Sequence, residues 1–173
     1  MAEETYTGKV ERTLVVFKPD SVQRGIVGEL MSRFERVGLK INGIKMTSPD
    51  RDHLYHHYEV ISKMASRWGE KALDGLVSYM MEGPVIAMVL EGVEAIEVVR
   101  KVVGPTDPKK ADMGTIRGDY SHVALGYMHA RKVGLPNLIH ASGNTSEAEQ
   151  EINHWFRPDE LYDYPVLAEK YSR

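Results

Sequence analysis

A histidine and a glutamate late in the chain are the first candidates for chemistry. His140 ends a short apolar run, and the small residues that follow it leave room beside its ring. Glu151 falls on the apolar stripe of a helix predicted over residues 144–156. A carboxylate that faces a core is costly unless it has a partner, and Ser142 and His140 are the nearest partners. Spacing alone leaves two alternatives open, a structural histidine and an edge glutamate that reaches water.

Three cationic residues in distant segments have local features that favour one shared site. Lys18 ends a buried apolar run, and Arg100 lies i+4 and i+7 from apolar residues of its predicted helix, against the apolar face. Arg117 lies between Gly114 and Gly118, and flanking glycines allow a close approach of the backbone to a ligand. Each arginine has an alternative role, an ion pair with a carboxylate. Each signal is weak when taken alone.

The elements that must position these residues follow from the pattern of apolar positions. Apolar runs predict strands, the first of them buried on both faces, and spacings of three and four residues predict helices. We interpret residues 106–136 mainly as loop. The order is βαβ, βαβ with an extra helical insertion. This predicts an α+β fold, a ferredoxin-like βαββαβ sandwich with an antiparallel sheet, helices on one face and extra helices inserted. The predicted strands cover residues 13–17, 39–46, 85–90 and 137–140, and the other predicted helices cover residues 21–37, 50–61, 76–81 and 92–103.

Composition narrows the class of protein. The chain has 173 residues, which suits a single domain over residues 1–173 with short N-terminal and C-terminal tails. A net charge of -3 gives no basic excess, so nucleic-acid binding is not expected. The chain has no cysteine and no apolar run long enough to span a membrane, and its first four residues are unlike a secretory signal. We therefore expect a cytoplasmic globular protein.

The motifs around these residues resemble those of one family. The usual phosphate-binding signatures are absent, both Gly-x-x-x-x-Gly-Lys-Ser/Thr and Gly-x-Gly-x-x-Gly after a strand. However, Lys18-Pro19-Asp20 followed by Val22-Gln23-Arg24-Gly25 resembles a segment of nucleoside diphosphate kinases. Later motifs of that family follow in the same order, and the similarity runs from about residue 11 to residue 161. They are Gly83-Pro84-Val85, Gly114-Thr115-Ile116-Arg117-Gly118-Asp119 and Asn137-Leu138-Ile139-His140-Ala141-Ser142.

The resemblance implies an activity and a set of site residues. It implies a kinase that transfers the γ-phosphate of ATP, or of another nucleoside triphosphate, to nucleoside diphosphates through a phosphohistidine on His140. It also implies Mg²⁺ held mainly by the nucleotide's phosphates, with no metal ligands in the protein, and a homo-oligomer, either a hexamer or a tetramer. Ser142 and Glu151 match the pair that orients the histidine, and Tyr58 matches a tyrosine of the site. The groups that match phosphate and sugar contacts are Lys18, Arg100, Thr106, Arg117 and Asn137.

The chain departs from the family pattern in four places. Ser21 and Ala141 each stand where the family has glycine, and Gly143 stands where an aspartate often follows the serine. The chain is also longer than the common form near residues 62–73 and 121–135. The first insertion lies where an aromatic that stacks on the base is expected, and Trp68 is a candidate for that role.

Two other functions are compatible with parts of the pattern. An α+β sandwich can be an RNA-binding or ligand-sensing module, because fold does not determine function; the aromatic sheet motif of an RNA-binding module is absent. His53 and His57, spaced i, i+4 on one predicted helix, could bind a metal, although the Glu of a His-Glu-x-x-His motif is missing.

Overall fold

The computed structural model describes residues 8–131, 134–167 and 169–172, so the predicted N-terminal tail lies mostly outside it. In this part of the chain, four antiparallel strands form one sheet in the order β2-β3-β1-β4. The connection from β1 to β2 skips one position, which β3 fills, as in a split βαβ unit. The strands are β1 (Val10–Phe17), β2 (Lys40–Thr47), β3 (Val85–Val93) and β4 (Ile139–Ala141).

The helices surround this sheet and differ in part from the predicted ones. Those that cover the sheet are α1 (Pro19–Gln23), α2 (Val27–Arg36), α3 (Arg51–Tyr55), a π-helix (His56–Ile61), α4 (Met64–Trp68), α5 (Glu70–Met80), α6 (Ala95–Val103) and α9 (Thr145–Trp155). The remaining ones are two 3₁₀ turns (Pro108–Lys110 and Pro158–Glu160), α7 (Ile116–Tyr120), α8 (Leu125–Arg131) and α10 (Glu169–Ser172).

The sheet is covered on both faces, so the prediction of helices on one face is wrong. Leu14 and Val16 pack with α3, the π-helix, α5 and α9, whereas Val15 and Phe17 pack with α2 and α6. All four side chains are fully buried. Consecutive strand residues point to opposite faces, and an apolar run such as β1 therefore needs a cover on each side. The antiparallel sheet and the α+β class are confirmed.

Three of the predicted elements change at their boundaries for local reasons. The helix predicted over residues 21–37 is two helices, because Gly25 adopts a left-handed conformation with φ of 66° between them. The helix predicted from residue 92 begins only at Ala95, after β3 continues to Val93 and Glu94 turns the chain with φ of 51°. Residues 106–136, interpreted mainly as loop, also contain the short helices α7 and α8.

Both insertions contribute helices. The first forms α4 and the start of α5, and α8 lies in the second, where positions 132 and 133 fall outside the described residues. The helix predicted over residues 50–61 forms as α3 followed by the π-helix, whose wider turn buries His57 and Tyr58 next to each other. Such π turns occur often at functional sites.

Candidate active site

A cleft of about 720 Å³ lies where β1 and β4 end. It is large enough for a small-molecule ligand. Seven of the predicted site residues line it, and Ser142 and Glu151 lie behind it in the protein interior. The seven are Lys18, Tyr58, Arg100, Thr106, Arg117, Asn137 and His140.

Lys18 is placed by the end of β1 and is only 5% exposed. Its backbone N–H donates to the carbonyl of Leu138, and its Nζ donates to Asn137 Oδ1 at 2.7 Å. Burial, together with the charge of Arg117, lowers the pKa of Lys18 from 10.5 to about 7. The ammonium therefore lies in a site where an added negative charge would stabilise it.

The turn before β4 is strained and is tied down by its neighbours. Leu138 has φ of 74°, which is uncommon for a residue other than glycine. Its N–H donates to Asp20 Oδ2 at 3.1 Å, and its carbonyl accepts from Ser21 Oγ at 2.6 Å. Ser21 thus stands where the family has glycine and helps to hold the turn. Asn137 is held beside it, because its Nδ2 donates to the carbonyl of Thr106 at 2.8 Å.

Arg117 is fixed by the protein backbone. Its Nε, Nη1 and Nη2 donate to the carbonyls of Asn137, Gly104 and Ile139, at 3.2, 2.8 and 2.6 Å. A guanidinium has five N–H donors, so two of them remain for a ligand in the cleft. Burial, together with the charge of Arg100, lowers the pKa of Arg117 to about 10. Among the ion pairs of the described residues, none joins Arg117 to a carboxylate. The alternative role of Arg117, a structural ion pair, is therefore excluded for this part of the chain.

Gly118, one of the two glycines beside Arg117, and the position of Arg100 differ from the prediction. A Cβ at Gly118 would lie 2.1 Å from the carbonyl oxygen of Asp112, so this glycine permits packing of the chain on itself and not on a ligand. Arg100 is exposed, and the prediction that it lies against the apolar face of its helix is wrong. It lines the cleft from the helix surface, and the helix contributes Val99 and Val103 to the core.

His140 lies on β4 and is oriented by Glu151 of α9. The His140 Nε2 to Glu151 Oε1 distance is 2.9 Å, and Ser142 Oγ donates to Glu151 Oε2 at 2.6 Å. Ser142 in turn accepts from the N–H of Leu14 at 3.2 Å. Glu151 is fully buried, as its place on the apolar stripe predicted, and it is not an edge residue.

The protonation state of His140 follows from the ionisation of Glu151. Burial alone would raise the pKa of Glu151, but the charge and the hydrogen bond of His140, with His57 and Ser142, lower it to about 2. An ionised carboxylate can only accept hydrogen bonds, so Nε2 of His140 carries the proton that it shares with Glu151. In a neutral imidazole the other nitrogen, Nδ1, then has the lone pair.

His57 also contacts this pair, a role that the sequence pattern did not predict. Its ring meets the His140 ring edge to face, with 4.5 Å between centroids, and its Nδ1 lies 3.8 Å from Glu151 Oε1. Trp155 Nε1 donates to His57 Nδ1 at 3.2 Å. Burial and the charge of His140 hold the pKa of His57 well below its usual range, so it is neutral. The signal available was its position beside Tyr58, in the stretch that forms the π-helix.

The metal pair of His53 and His57 that the spacing allowed does not form. His53 stacks on His154, with 3.9 Å between ring centroids, while the wider π turn directs His57 into the core. Among the described residues, the donor group that could hold a metal combines His57 with His140 and Glu151.

The glycine at position 143 is matched by a carboxylate from the next turn. Glu147 lines the cleft, and its Oε2 accepts from the N–H of Gly143 at 3.1 Å. A Cβ at position 143 would lie 2.5 Å from the same oxygen. Glu147 therefore places a negative charge beside position 143, at which the sequence resemblance predicts an aspartate. Arg67 Nη2 lies 3.6 Å from its other oxygen.

Comparison with known proteins gives one consistent family. A sequence model of the nucleoside diphosphate kinase family matches residues 11–161. The nucleoside diphosphate kinase of Pyrococcus furiosus is 46% identical over 165 residues, 95% of this chain and 94% of that protein. That of Borreliella burgdorferi is 42% identical over 155 residues, 90% of this chain and 92% of that protein.

Solved structures agree with the sequence comparison. A transition-state mimic of the Borrelia burgdorferi nucleoside diphosphate kinase, with bound vanadate and ADP, superposes with a TM-score of 0.90 at 40% identity. The superposition covers 94% of this chain and 96% of that one. A Halobacterium salinarum nucleoside diphosphate kinase in complex with CDP superposes with a TM-score of 0.80 at 41% identity, and the superposition covers 94% of this chain and 98% of that one. This chain is an enzyme and belongs to the nucleoside diphosphate kinase family.

Proposed function

We propose that His140 carries a phosphoryl group from the γ-position of ATP, or of another nucleoside triphosphate, to a nucleoside diphosphate. The observation that carries the proposal is the bond between His140 Nε2 and Glu151, which leaves the Nδ1 lone pair as the nucleophile. His140 lines the same cleft as Lys18, Arg100 and Arg117. Such a set suits phosphoryl transfer, which depends mainly on positioning and on charge stabilisation.

The transfer consists of two half-reactions that balance. In the first, the Nδ1 lone pair forms a bond to the γ-phosphorus while the bond from that phosphorus to the β,γ-bridging oxygen breaks. The nucleoside diphosphate then leaves with the bridging electrons. Positive charge that develops on the imidazole is offset by Glu151, and Ser142 keeps that carboxylate in place. In the second, an oxygen of another nucleoside diphosphate takes the phosphoryl group from Nδ1.

Lys18 and Arg117 are the proposed contacts of the transferring group. Both are buried in the cleft, where charge interactions are stronger than in water. Asn137 holds the Lys18 ammonium, and the backbone carbonyls hold the Arg117 guanidinium, so neither cation needs to reorganise during the reaction. Arg100 and Thr106, which are exposed at the cleft, are the proposed contacts of the other phosphates and the sugar. Tyr58 completes the wall, and its buried hydroxyl has no hydrogen-bond partner among the described residues.

Mg²⁺ is the proposed cofactor, and the cleft fits an ion that enters with the nucleotide. Mg²⁺ requires oxygen ligands and keeps several of its waters, whereas the cleft presents cations and one carboxylate, that of Glu147, among its described lining residues. The phosphates would hold the ion, and Glu147 is the one carboxylate among the described lining residues that could add a protein oxygen. When bound, it neutralises charge on the phosphates.

Oligomerisation and localisation stay predictions from the sequence. We propose a homo-oligomer, a hexamer or a tetramer, that works in the cytoplasm. Among the described residues, no helix has the length and apolar character that crossing a membrane requires.

The test is to incubate the protein with γ-labelled ATP and to measure label that acid removes and base does not, as phosphohistidine requires. The His140→Ala variant should stay folded and unlabelled. The matched control is His122→Ala, because His122 is exposed and lies outside the cleft lining. Steady-state kinetics with varied ATP and nucleoside diphosphate should give parallel double-reciprocal lines. Intersecting lines, or label that persists in His140→Ala, would remove the covalent role of His140.

A further inference from the structure

The contact between His57 and the reacting pair brings together three donors that a transition metal prefers. A ring nitrogen of His57, a ring nitrogen of His140 and a carboxylate oxygen of Glu151 lie within 4.8 Å of one another. Two nitrogens and an oxygen are the donor set of many catalytic zinc sites, whereas Mg²⁺ requires oxygens alone. We propose that these three residues form a binding site for Zn²⁺ or a similar borderline-soft divalent ion, and that its occupation switches the enzyme off.

The distances are close to those of a zinc complex. With bonds of about 2.0 to 2.1 Å, donors of a tetrahedral zinc ion are separated by about 3.3 Å. The two measured separations from Glu151 Oε1 are 2.9 Å to His140 Nε2 and 3.8 Å to His57 Nδ1, on either side of that value. The third separation, between the two ring nitrogens, is at most 4.8 Å, so the two rings must approach each other by up to about 1.5 Å to complete the site.

Each donor has an available lone pair, or acquires one by moving a single proton. His57 Nδ1 accepts a hydrogen bond from Trp155 Nε1, so this nitrogen carries no proton. Glu151 Oε2 keeps its bond from Ser142 while Oε1 binds the ion. His140 changes tautomer, because the proton on Nε2 moves to Nδ1 through water in the cleft, and Nε2 then binds the metal. No proton is released overall.

His140 lines the cleft, whereas His57 and Glu151 are buried behind it, so the ion would enter past the His140 ring. A water molecule that follows the ion would be the fourth ligand of a three-residue zinc site. The indole N–H of Trp155 loses its acceptor when the metal takes His57 Nδ1. Because this hydrogen bond is lost, the affinity for zinc is lower than that of a preformed zinc site.

The functional consequence follows from the change of tautomer and rests on the proposed function. A protonated Nδ1 has no lone pair to attack the γ-phosphorus. The metal therefore stops phosphorylation even when ATP is bound. Mg²⁺ does not bind this site, because two of its three donors are nitrogens. Zn²⁺ therefore inhibits the reaction, whereas Mg²⁺ supports it.

Isothermal titration of the nucleotide-free full-length protein with ZnCl₂, in buffer without Mg²⁺, tests the site. His57→Asn keeps an acceptor for Trp155, because the amide oxygen takes the place of Nδ1, but provides a poor zinc ligand. We expect Zn²⁺ to bind the wild type with one ion per chain, and His57→Asn to bind at least about tenfold more weakly. Glu151→Gln, which removes the charge, is the second variant and should weaken binding as well.

The matched control is His53→Asn. His53 also touches Trp155, edge to face with 4.4 Å between centroids, and it belongs to a surface stack with His56 and His154. Zinc binding should survive this substitution. Binding that His53→Asn abolishes, or that both His57→Asn and Glu151→Gln retain, would place zinc in the surface stack and overturn the proposal. A lack of zinc binding by the wild type would overturn it too.

Labelling with γ-labelled ATP separates this proposal from the proposed function. Zinc loaded before MgATP should block labelling of the wild type. Labelling should return once EDTA has removed the zinc and the protein has been exchanged into buffer that contains Mg²⁺. A wild type that takes no label without zinc would contradict the proposed role of His140, while the titration would still decide the metal site. A zinc-loaded protein that is labelled normally would overturn the switch.

Discussion

The floor and the rim of the cleft carry similar cationic side chains but hold them in different ways. On the floor, Lys18 and Arg117 are buried and bonded to a fixed amide and to backbone carbonyls. On the rim, Arg67, Lys71 and Arg100 are exposed side chains on helix surfaces. Contacts that the backbone holds cost little reorganisation, whereas exposed cations are screened by water and salt. The floor therefore suits the reacting phosphate, and the rim suits tolerant binding of the rest of a nucleotide.

Among substitutions other than that of His140 itself, Arg117→Ala should have the largest effect on phosphorylation, because it removes a buried cation from the floor of the cleft. It removes a charge from the transferring group and leaves three carbonyls without their donor. We expect phosphorylation at saturating ATP to slow by about two to three orders of magnitude. The free energy of unfolding should fall by at least about 1 to 3 kcal/mol. Single-turnover labelling and urea denaturation measure the two effects.

Arg100→Ala is the matched rim control, because it removes an equal charge from an exposed side chain. It should raise KM and leave the stability unchanged. A normal single-turnover rate in Arg117→Ala would make Arg117 a ground-state binding residue, and the distinction between floor and rim would fail.

Glu151→Gln tests the buried partner of His140 with little change of shape. The neutral amide no longer offsets charge on the imidazole, and it can no longer accept at both oxygens. We expect turnover to fall by about one to two orders of magnitude. The matched control is Glu149→Gln, an exposed position on the same helix. Turnover equal to that of the wild type would show that Glu151 has only a structural role.

Lys18 provides a prediction about pH. Its pKa is lowered to about 7 without a ligand, and the negative charge of a phosphate raises the pKa again. Between pH 7 and the unperturbed value of 10.5, ADP binding should therefore take up a proton, and affinity should fall as the pH rises. Calorimetry at pH 8 in buffers of different ionisation enthalpy should show uptake of nearly one proton. Lys18→Gln should abolish that uptake, and its absence from the wild type would show that Lys18 is already charged.

Trp68→Ala should have the smallest effect. Trp68 is 55% exposed and lines the rim, where an aromatic surface can stack on any base. We expect a loss of about 1 kcal/mol in nucleotide binding, roughly fivefold in Kd, with turnover at saturation unchanged. Quenching of tryptophan fluorescence by ADP should also be lost, since the other tryptophan, Trp155, is buried. Equal affinity and quenching in the variant would exclude Trp68 from the base contact.

The class of fold, the main elements and nine candidate site residues could be predicted from the amino-acid sequence, and seven of the nine line the cleft. Glu151 shows why, because its place on an apolar helix stripe required a buried partner, and His140 and Ser142 are that partner. Periodicity and local motifs report burial and chain order, since these depend on neighbours in the sequence. The apolar run of β1 even required cover on both faces, although we predicted helices on only one.

The contacts between distant segments could be seen only in the folded chain. The backbone carbonyls that fix Arg117 come from residues 13 to 22 positions away, and the spacing does not reveal them. His57 reaches Glu151 because a π turn changes its direction, and Glu147 fills the space beside Gly143. Hydrogen bonds and close packing depend on distances of a few tenths of an ångström between folded surfaces, and a linear pattern does not encode distances of that kind.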